Sequence, residues 1–381
     1  MIFERRLLTE SRSAGLVSRL WRVPWLFVLL LVGIAAIGYV ALWTAGSGNA
    51  DAYAQKHALR FGFCLVIMLS IAFIDIRIIL RFAWVGYAFA LGLLVLVLFH
   101  GNVGKGAQRW LDIGPVQLQP SELMKIMLAL GLAAWFHRAS WERMGNPLFL
   151  IPPALMVLVP VGLILKQPNL GTALITAMIG AAMFWAAGMR WWKFALMAGA
   201  TAIAAPIAYD HLRDYQRARI TTFLDPESDP LGAGYNIIQS KIALGSGGMW
   251  GKGFLQGTQG HLNFLPEKQT DFIFTLIAEE FGFTGAIATL FMLLAVVVFC
   301  YIVAFRSRHQ FGRLLAIGLG TNFFLYVFVN VAMVTGAIPV GGVPLPLISH
   351  GGSAMLTVMI GFGLLLSAYV HRDAELGPMR E

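Results

Sequence analysis

Residues 24–45 read PWLFVLLLVGIAAIGYVALWTA, an apolar run without a single Asp, Glu, Lys or Arg. About 20 such residues carry a helix across a bilayer, because lipid offers the backbone no hydrogen-bonding partner and a helix satisfies its own. Stretches of the same kind follow at 59–75, 82–100, 120–137, 147–165, 170–188, 193–209, 272–305, 312–334 and 352–371. The seventh of these ten is short and rich in Ala. The eighth is too long for one crossing, and an amphipathic segment from Asp271 to Gly282 is expected to lead into the span proper.

The bulk composition agrees. Of 381 residues 58% are hydrophobic and 12% charged, against roughly 25% charged in soluble domains. A water-soluble globular enzyme is excluded. The expectation is an all-α, polytopic integral membrane protein of about ten transmembrane helices, forming a single domain over residues 1–381.

The net charge of +9 is explained by basic residues at cytoplasmic helix ends, so no nucleic-acid partner is expected. With the N-terminus placed inside, 16 of the 28 Lys and Arg fall on inside segments, and every such segment has some. Six of the other 12 sit in one long loop, and long loops count little in this rule. The predicted topology is therefore N-in, C-in, with residues 1–23 as a cytoplasmic tail that shows no cleavable signal. Cys64 and Cys300 lie in apolar runs and read as inert membrane thiols.

Three outer segments are more than connectors. Residues 101–120 are turn-rich. Residues 210–270 form a loop far longer than ordinary connections. Residues 335–351, TGAIPVGGVPLPLISHG, are dense in Gly and Pro and hold no Lys, Arg, Asp or Glu. The small-residue runs GAIATL and GLGTN read as helix contacts, to a partner or within the bundle.

Some residues are expensive in a membrane. Glu122 and Lys125 stand i, i+3 on one face of the fourth span, and a lone charge at mid-bilayer costs about 2.5–3.5 kcal/mol. The pair reads either as a helix-locking ion pair or as the lining of a polar cavity. In KQPNLGTAL, Pro168 is placed to start the next helix, and Lys166 either sits in a plain turn or faces the Glu122 cavity. RDYQRARI groups Arg213, Arg217 and Arg219, a set able to grip a pyrophosphate or simply to form a solvated helix face. GYNIIQSKIALGSGG reads as a helix in the interface plane ending in a Gly-rich cap. Asp271 opens an apolar helix, either as a dipole-favoured N-terminal acid or as a partly desolvated general base. Glu279 and Glu280 lie two turns deeper and need partners there.

Five motifs in order between the spans, QPSELMK, KQPNLGTA, GYNIIQSKIALGSGGMWGKG, LPEKQTDFIF and PLPLISHGGS, resemble the SEDS family (shape, elongation, division and sporulation). The loop text NIIQSKIALGSGG with GFLQGTQGHLNFLPE is similar to its elongation branch, RodA, more than to its division branch, FtsW. The resemblance implies a peptidoglycan glycosyltransferase that polymerises lipid II on the outer face of the cytoplasmic membrane. It places the family's essential carboxylate on Asp271, its span-four Glu and Lys on Glu122 and Lys125, and its loop arginine before a tryptophan on Arg109 with Trp110; Lys166, Arg213, Arg217, Gln239, Lys241, Ser349 and Gly351 are the further substrate-binding candidates. No metal ligands are assigned, and a divalent cation at the pyrophosphate is left open as a cofactor. The implied partners are lipid II, a class B penicillin-binding protein and other elongation-machinery membrane proteins. Two departures stand out: Asn169 where members often carry Asp, and His350 where a Tyr is usual.

Joining a sugar 4-hydroxyl to C1 of an α-linked donor with inversion needs one base on the nucleophile and charge neutralisation on the leaving pyrophosphate. It does not need the two carboxylates of an inverting glycosidase. Two other readings are weighed, a lipid II flippase and a non-catalytic scaffold. The flippase fits less well because Asp271 sits at the membrane surface rather than the midplane. The scaffold leaves Glu122 and Lys125 unexplained.

Overall fold

The computed structural model describes residues 20–104, 107–113, 116–137, 139, 142–210, 217, 221–225, 233–258 and 267–376. Its helices are α1 (Trp25–Ala45), α2 (Ala54–Ala72), α3 (Ile76–His100), α4 (Pro120–Phe136), α5 (Pro147–Lys166), α6 (Leu170–Ala186), α7 (Trp191–Asp210), α8 (Ala233–Ser246), α9 (Ile273–Arg306), α10 (Gln310–Val334) and α11 (Gly352–Val370). Each apolar stretch read from the sequence coincides with one of them. Among the described residues, 7 helices are long and apolar enough to cross a membrane, and the protein is a multi-pass membrane protein.

The helices divide into a centre and a periphery. Nearly every residue of α4 is buried, including Glu122 and Lys125, and α11 is buried over most of its length. By contrast α2, α3 and α5 show Phe63, Phe82, Phe89 and Leu155 to their surroundings, as helices facing lipid must. Inside the bundle small residues let backbones approach. A Cβ on Gly318 would stand 2.6 Å from Met183 Sδ, and one on Gly320 2.8 Å from Cys300 Cβ. The GLGTN run is therefore internal packing. Gly285 and Ala288, of the GAIATL run, instead line an apolar groove of about 360 Å³ between α1 and α9.

The fold is not wholly α. Segment 101–120 holds a three-stranded antiparallel sheet, ordered β1 (Asn102–Gly104), β2 (Ala107–Ile113), β3 (Val116–Leu118). Leu111 pairs with Leu118 and Asp112 with Gln117. Leu111, buried, anchors this meander.

α9 is two helices in one. Gly282, at φ 67° and ψ −167°, breaks it, a conformation open in practice to glycine alone. The break strands backbone groups, and residues 247–253 satisfy them. The N–H groups of Lys252 and Gly253 donate to the carbonyls of Glu279 and Glu280 at 3.0 Å each, and Phe283 donates to Gly248 at 2.9 Å. Such contact leaves no room for side chains: a Cβ on Gly251 would lie 2.0 Å from the Glu280 carbonyl oxygen. The first half, expected to be amphipathic, is buried from Ile273 to Glu280, because the Gly-rich loop and α8 cover the side that was to face water or lipid headgroups.

Candidate active site

Three side chains meet in the middle of the bundle. Lys125 Nζ donates to Glu122 Oε1 at 2.8 Å, and both residues are buried. The Tyr326 hydroxyl, from α10, accepts from Lys125 and donates to the second Glu122 oxygen. The ion-pair expectation therefore holds, with a third member that satisfies what a bare pair would leave open. A buried pair is tolerable only when its remaining lone pairs and protons find partners.

Above this group lies a cavity of about 100 Å³. Glu122, Lys125 and Tyr326 line it together with Arg109, Trp110 and Asn169, so the pair is both a lock and a cavity wall. The walls come from five places: the β-meander, α4, the start of α6, α10 and residues 342–344. Arg109 donates to the Gln167 carbonyl at 3.2 Å and also to that of Pro168. It thereby ties the sheet to the α5–α6 turn.

Asp271 stands beside the same cavity. A Cβ on Gly342, a lining residue, would be 3.6 Å from Asp271 Oδ2. The carboxylate is half-buried, and the turn that carries it is clamped by its neighbours. Asn330 Nδ2 donates to the Asp271 carbonyl at 2.9 Å and to that of Val343 at 2.7 Å. Ser349 Oγ donates to the Thr270 carbonyl, and the His350 N–H donates to that of Gln269 at 2.8 Å. The α9 helix starts at Ile273 with Phe272 as its N-cap and no side-chain cap.

The other expected residues divide. Glu122, Lys125, Arg109 and Trp110 reach the cavity. Lys166 does not: it is exposed at the last turn of α5, and Gln167 is the residue turned inward, donating to the Leu94 carbonyl at 3.1 Å. Pro168 does not start α6 either. The N-cap is Asn169, whose side chain accepts from the Thr172 N–H at 3.3 Å. A cap needs an oxygen rather than a charge, which explains why Asn serves where Asp is frequent.

Arg217 stacks on Tyr209 at 5.6 Å and donates to the carbonyls of Tyr209 and Asp210 at the end of α7. Arg213 and Arg219 lie outside the described residues. On α8, Lys241 is exposed and its chain crosses Gly336, and Gln239 is half-buried. Both stand away from the cavity lining. Helix α8 packs on α9 and α10 rather than lying free in the interface plane: Ser240 Oγ stands 3.3 Å from Thr275 Oγ1 of α9 and donates to the Val334 carbonyl of α10 at 2.7 Å. Ser349 holds the Asp271 turn, and Gly351 is the N-cap of α11. Glu279 pairs with Lys252 at 2.7 Å, and Glu280 accepts from Thr44 Oγ1 at 2.8 Å.

The residues that sequence reading passed over are on α10. Asn322, Tyr326 and Asn330 recur at i, i+4 and i+8 in an otherwise apolar span, and all three are buried. A polar stripe of that spacing inside a membrane helix marks a face turned to other polar groups, and it was there to be found.

The FtsW/RodA/SpoVE family model, described as a cell cycle protein, matches residues 19–374. The peptidoglycan glycosyltransferase MrdB of Escherichia coli K12 is 43% identical over 351 residues, covering 90% of this chain and 93% of its own. The probable peptidoglycan glycosyltransferase FtsW of Idiomarina loihiensis is 35% identical, covering 88% and 84%. A chain solved in a study of how a peptidoglycan synthase complex coordinates polymerization and crosslinking superposes with TM-score 0.82 at 30% identity, covering 93% of this chain and 99% of that one. Thermus thermophilus RodA superposes with TM-score 0.70 at 28% identity, covering 93% and 98%.

Proposed function

The chain belongs to the FtsW/RodA/SpoVE family, and from that footing we propose that it is a peptidoglycan glycosyltransferase of the elongation branch. It polymerises lipid II into β-1,4 glycan strands at the outer face of the cytoplasmic membrane. The observation that carries this reading is the Asp271 carboxylate, half-buried on a clamped turn, against the wall of a cavity lined by Arg109, Glu122 and Lys125. The Lys and Arg count supports ten crossings with both termini inside, which puts Asp271 and the β-meander outside.

Asp271 takes the proton from the acceptor sugar 4-hydroxyl as that oxygen attacks C1 of the donor. The bond to the pyrophosphate oxygen breaks with inversion, and the pyrophosphate leaves with its charge. General-base action of this kind is worth on the order of 10²–10⁴-fold. Lys125, held by Glu122 and Tyr326, fixes the cavity's electrostatics. Among the described residues no group of three or more His, Cys, Asp or Glu could hold a metal ion. The groove between α1 and α9 offers a path for a lipid tail. The neighbour taken from a peptidoglycan synthase complex supports a class B penicillin-binding protein as partner, with other elongation proteins around it.

The test is glycan-strand formation from lipid II by the purified protein in nanodiscs with its penicillin-binding partner, wild type beside Asp271→Asn. Polymer from the wild type alone is the expected result, with the variant down about 10²–10⁴-fold. Full polymerisation by Asp271→Asn overturns the base assignment. Polymer from neither, with lipid II still crossing vesicle bilayers, would make the protein a flippase instead.

A further inference from the structure

The cations read from the sequence as partners for a leaving pyrophosphate are largely engaged elsewhere. Arg109 and Arg217 each spend their guanidinium on backbone carbonyls. Another pair of cations lies close to the Asp271 turn. Lys56 and Arg60 stand i, i+4 in the first two turns of α2, both exposed, just before the apolar run from Phe61. Among the described residues no carboxylate forms an ion pair with either. With the N-terminus inside they sit at the outer surface, where the positive-inside rule gives Lys and Arg no reason to be.

Arg60 is held in place. Its Nη1 lies 3.2 Å from His350 Nε2, and its Cζ is 3.6 Å from where a Cβ on Gly352 would stand. His350 is itself fixed, edge-on to Tyr53 at 5.2 Å and bound through its N–H to the Gln269 carbonyl at 2.8 Å, two residues before Asp271. With Nε2 accepting from Arg60, the ring proton sits on Nδ1, and His350 acts as a neutral bracket that adds no charge of its own. One guanidinium donor is used. The rest, with the three of the Lys56 ammonium, remain exposed, and a planar fork beside a point charge suits a phosphate.

We propose that Arg60 and Lys56, bracketed by His350, form the binding site for the pyrophosphate of a polyprenyl-linked lipid, one side of the Asp271 turn from the polar cavity. This rests on the reading of the protein as a lipid II polymerase and names the residues that hold the charged head of its lipid. Arg60 and Lys56 are binding residues, and His350 is a positioning residue acting through Arg60.

The experiment is equilibrium binding of undecaprenyl pyrophosphate to the full-length protein in phosphatidylcholine nanodiscs, which needs no turnover. Three variants are compared with wild type: Lys56→Met with Arg60→Met, His350→Ala and His350→Tyr. The double variant is expected to weaken binding about 10–100-fold, the range for charge-assisted hydrogen bonds, with an unchanged melting temperature because both side chains are exposed. His350→Ala is expected to weaken it less, and His350→Tyr, whose hydroxyl can accept from Arg60, to restore most of it. Unchanged affinity in the double variant overturns the site. Phosphatidylglycerol competing as well as the pyrophosphate also overturns it, making the pair a general lipid anchor. Polymerisation by the wild type is measured in parallel: intact polymerisation with unaltered variant binding sinks the site alone, and lost binding in variants of a chain that never polymerises sinks the function alone.

Discussion

The short helix between Asp271 and Gly282 carries carboxylates at both ends, and the two ends are built in opposite ways. At the first end Asp271 is half-buried, and Asn330, Ser349 and His350 hold its turn through the carbonyls of Asp271, Thr270 and Gln269. These contacts fix where the carboxylate stands. At the other end Glu279 and Glu280 are 0% and 1% exposed. Lys252 and Thr258 hold Glu279 by its side chain, and Thr44 holds Glu280. A carboxylate gripped that way is a fastener: it pins the Gly-rich loop across the break at Gly282. The first end is fixed through its backbone, and the second through its carboxylates.

The comparison breaks most sharply if the two roles are exchanged by mutation. Glu279→Gln removes the charge that the half-buried Lys252 ammonium meets, and losing a charge-assisted hydrogen bond costs about 1.5–3 kcal/mol. A clear drop in melting temperature is expected, with turnover per folded molecule largely kept, measured by thermal unfolding and polymerisation on the same nanodisc sample. Asp271→Asn should do the reverse. A Glu279→Gln protein that melts like wild type and makes no glycan would move Glu279 into the reaction.

Ser349 probes the first end more gently. Its hydroxyl donates to Thr270 and accepts from the Leu345 N–H at 2.8 Å, so Ser349→Ala loosens the turn by about 1–2 kcal/mol. A fall in kcat of about 10-fold with KM for lipid II unchanged is expected. A rise in KM alone would make Ser349 a substrate contact, as the sequence reading had it.

The smallest effect is a pH dependence. Burial first, then the charges of Arg60 and Lys56, lower the His350 pKa from 6.5 to about 4. The unfolded chain therefore binds a proton that the folded chain refuses between those values, so the stability contributed by neutral His350 is full above about pH 6.5 and falls as pH drops toward 4. Melting curves should show wild type losing more stability than His350→Tyr from pH 6.5 to 4.5, and no divergence above. A divergence that grows instead from pH 6.5 to 8 would mean the ring is charged in the folded protein.

The amino-acid sequence by itself determined the helices, and the family resemblance of its five ordered motifs gave the chemistry class. Apolar runs of membrane length leave the backbone one arrangement, and Glu122 with Lys125, three residues apart on α4, had to share a face whatever surrounded them. Asp271 was legible because a carboxylate at the head of an apolar run is rare enough to notice. Tyr326 and Asn330 were legible in principle, through the polar stripe they form with Asn322, but nothing local says which distant group they meet. Only the tertiary structure decided that Lys166 faces away, that Arg217 serves its own helix end, that Lys252 crosses to Glu279, and that Arg60 stands by His350, 290 residues away. The same holds for the β-meander, whose strands are too short to declare themselves by periodicity. Helical spans follow from hydrogen bonds a segment makes with itself. Sites follow from side chains that long stretches of chain keep apart, and only packing chooses among the partners each could take.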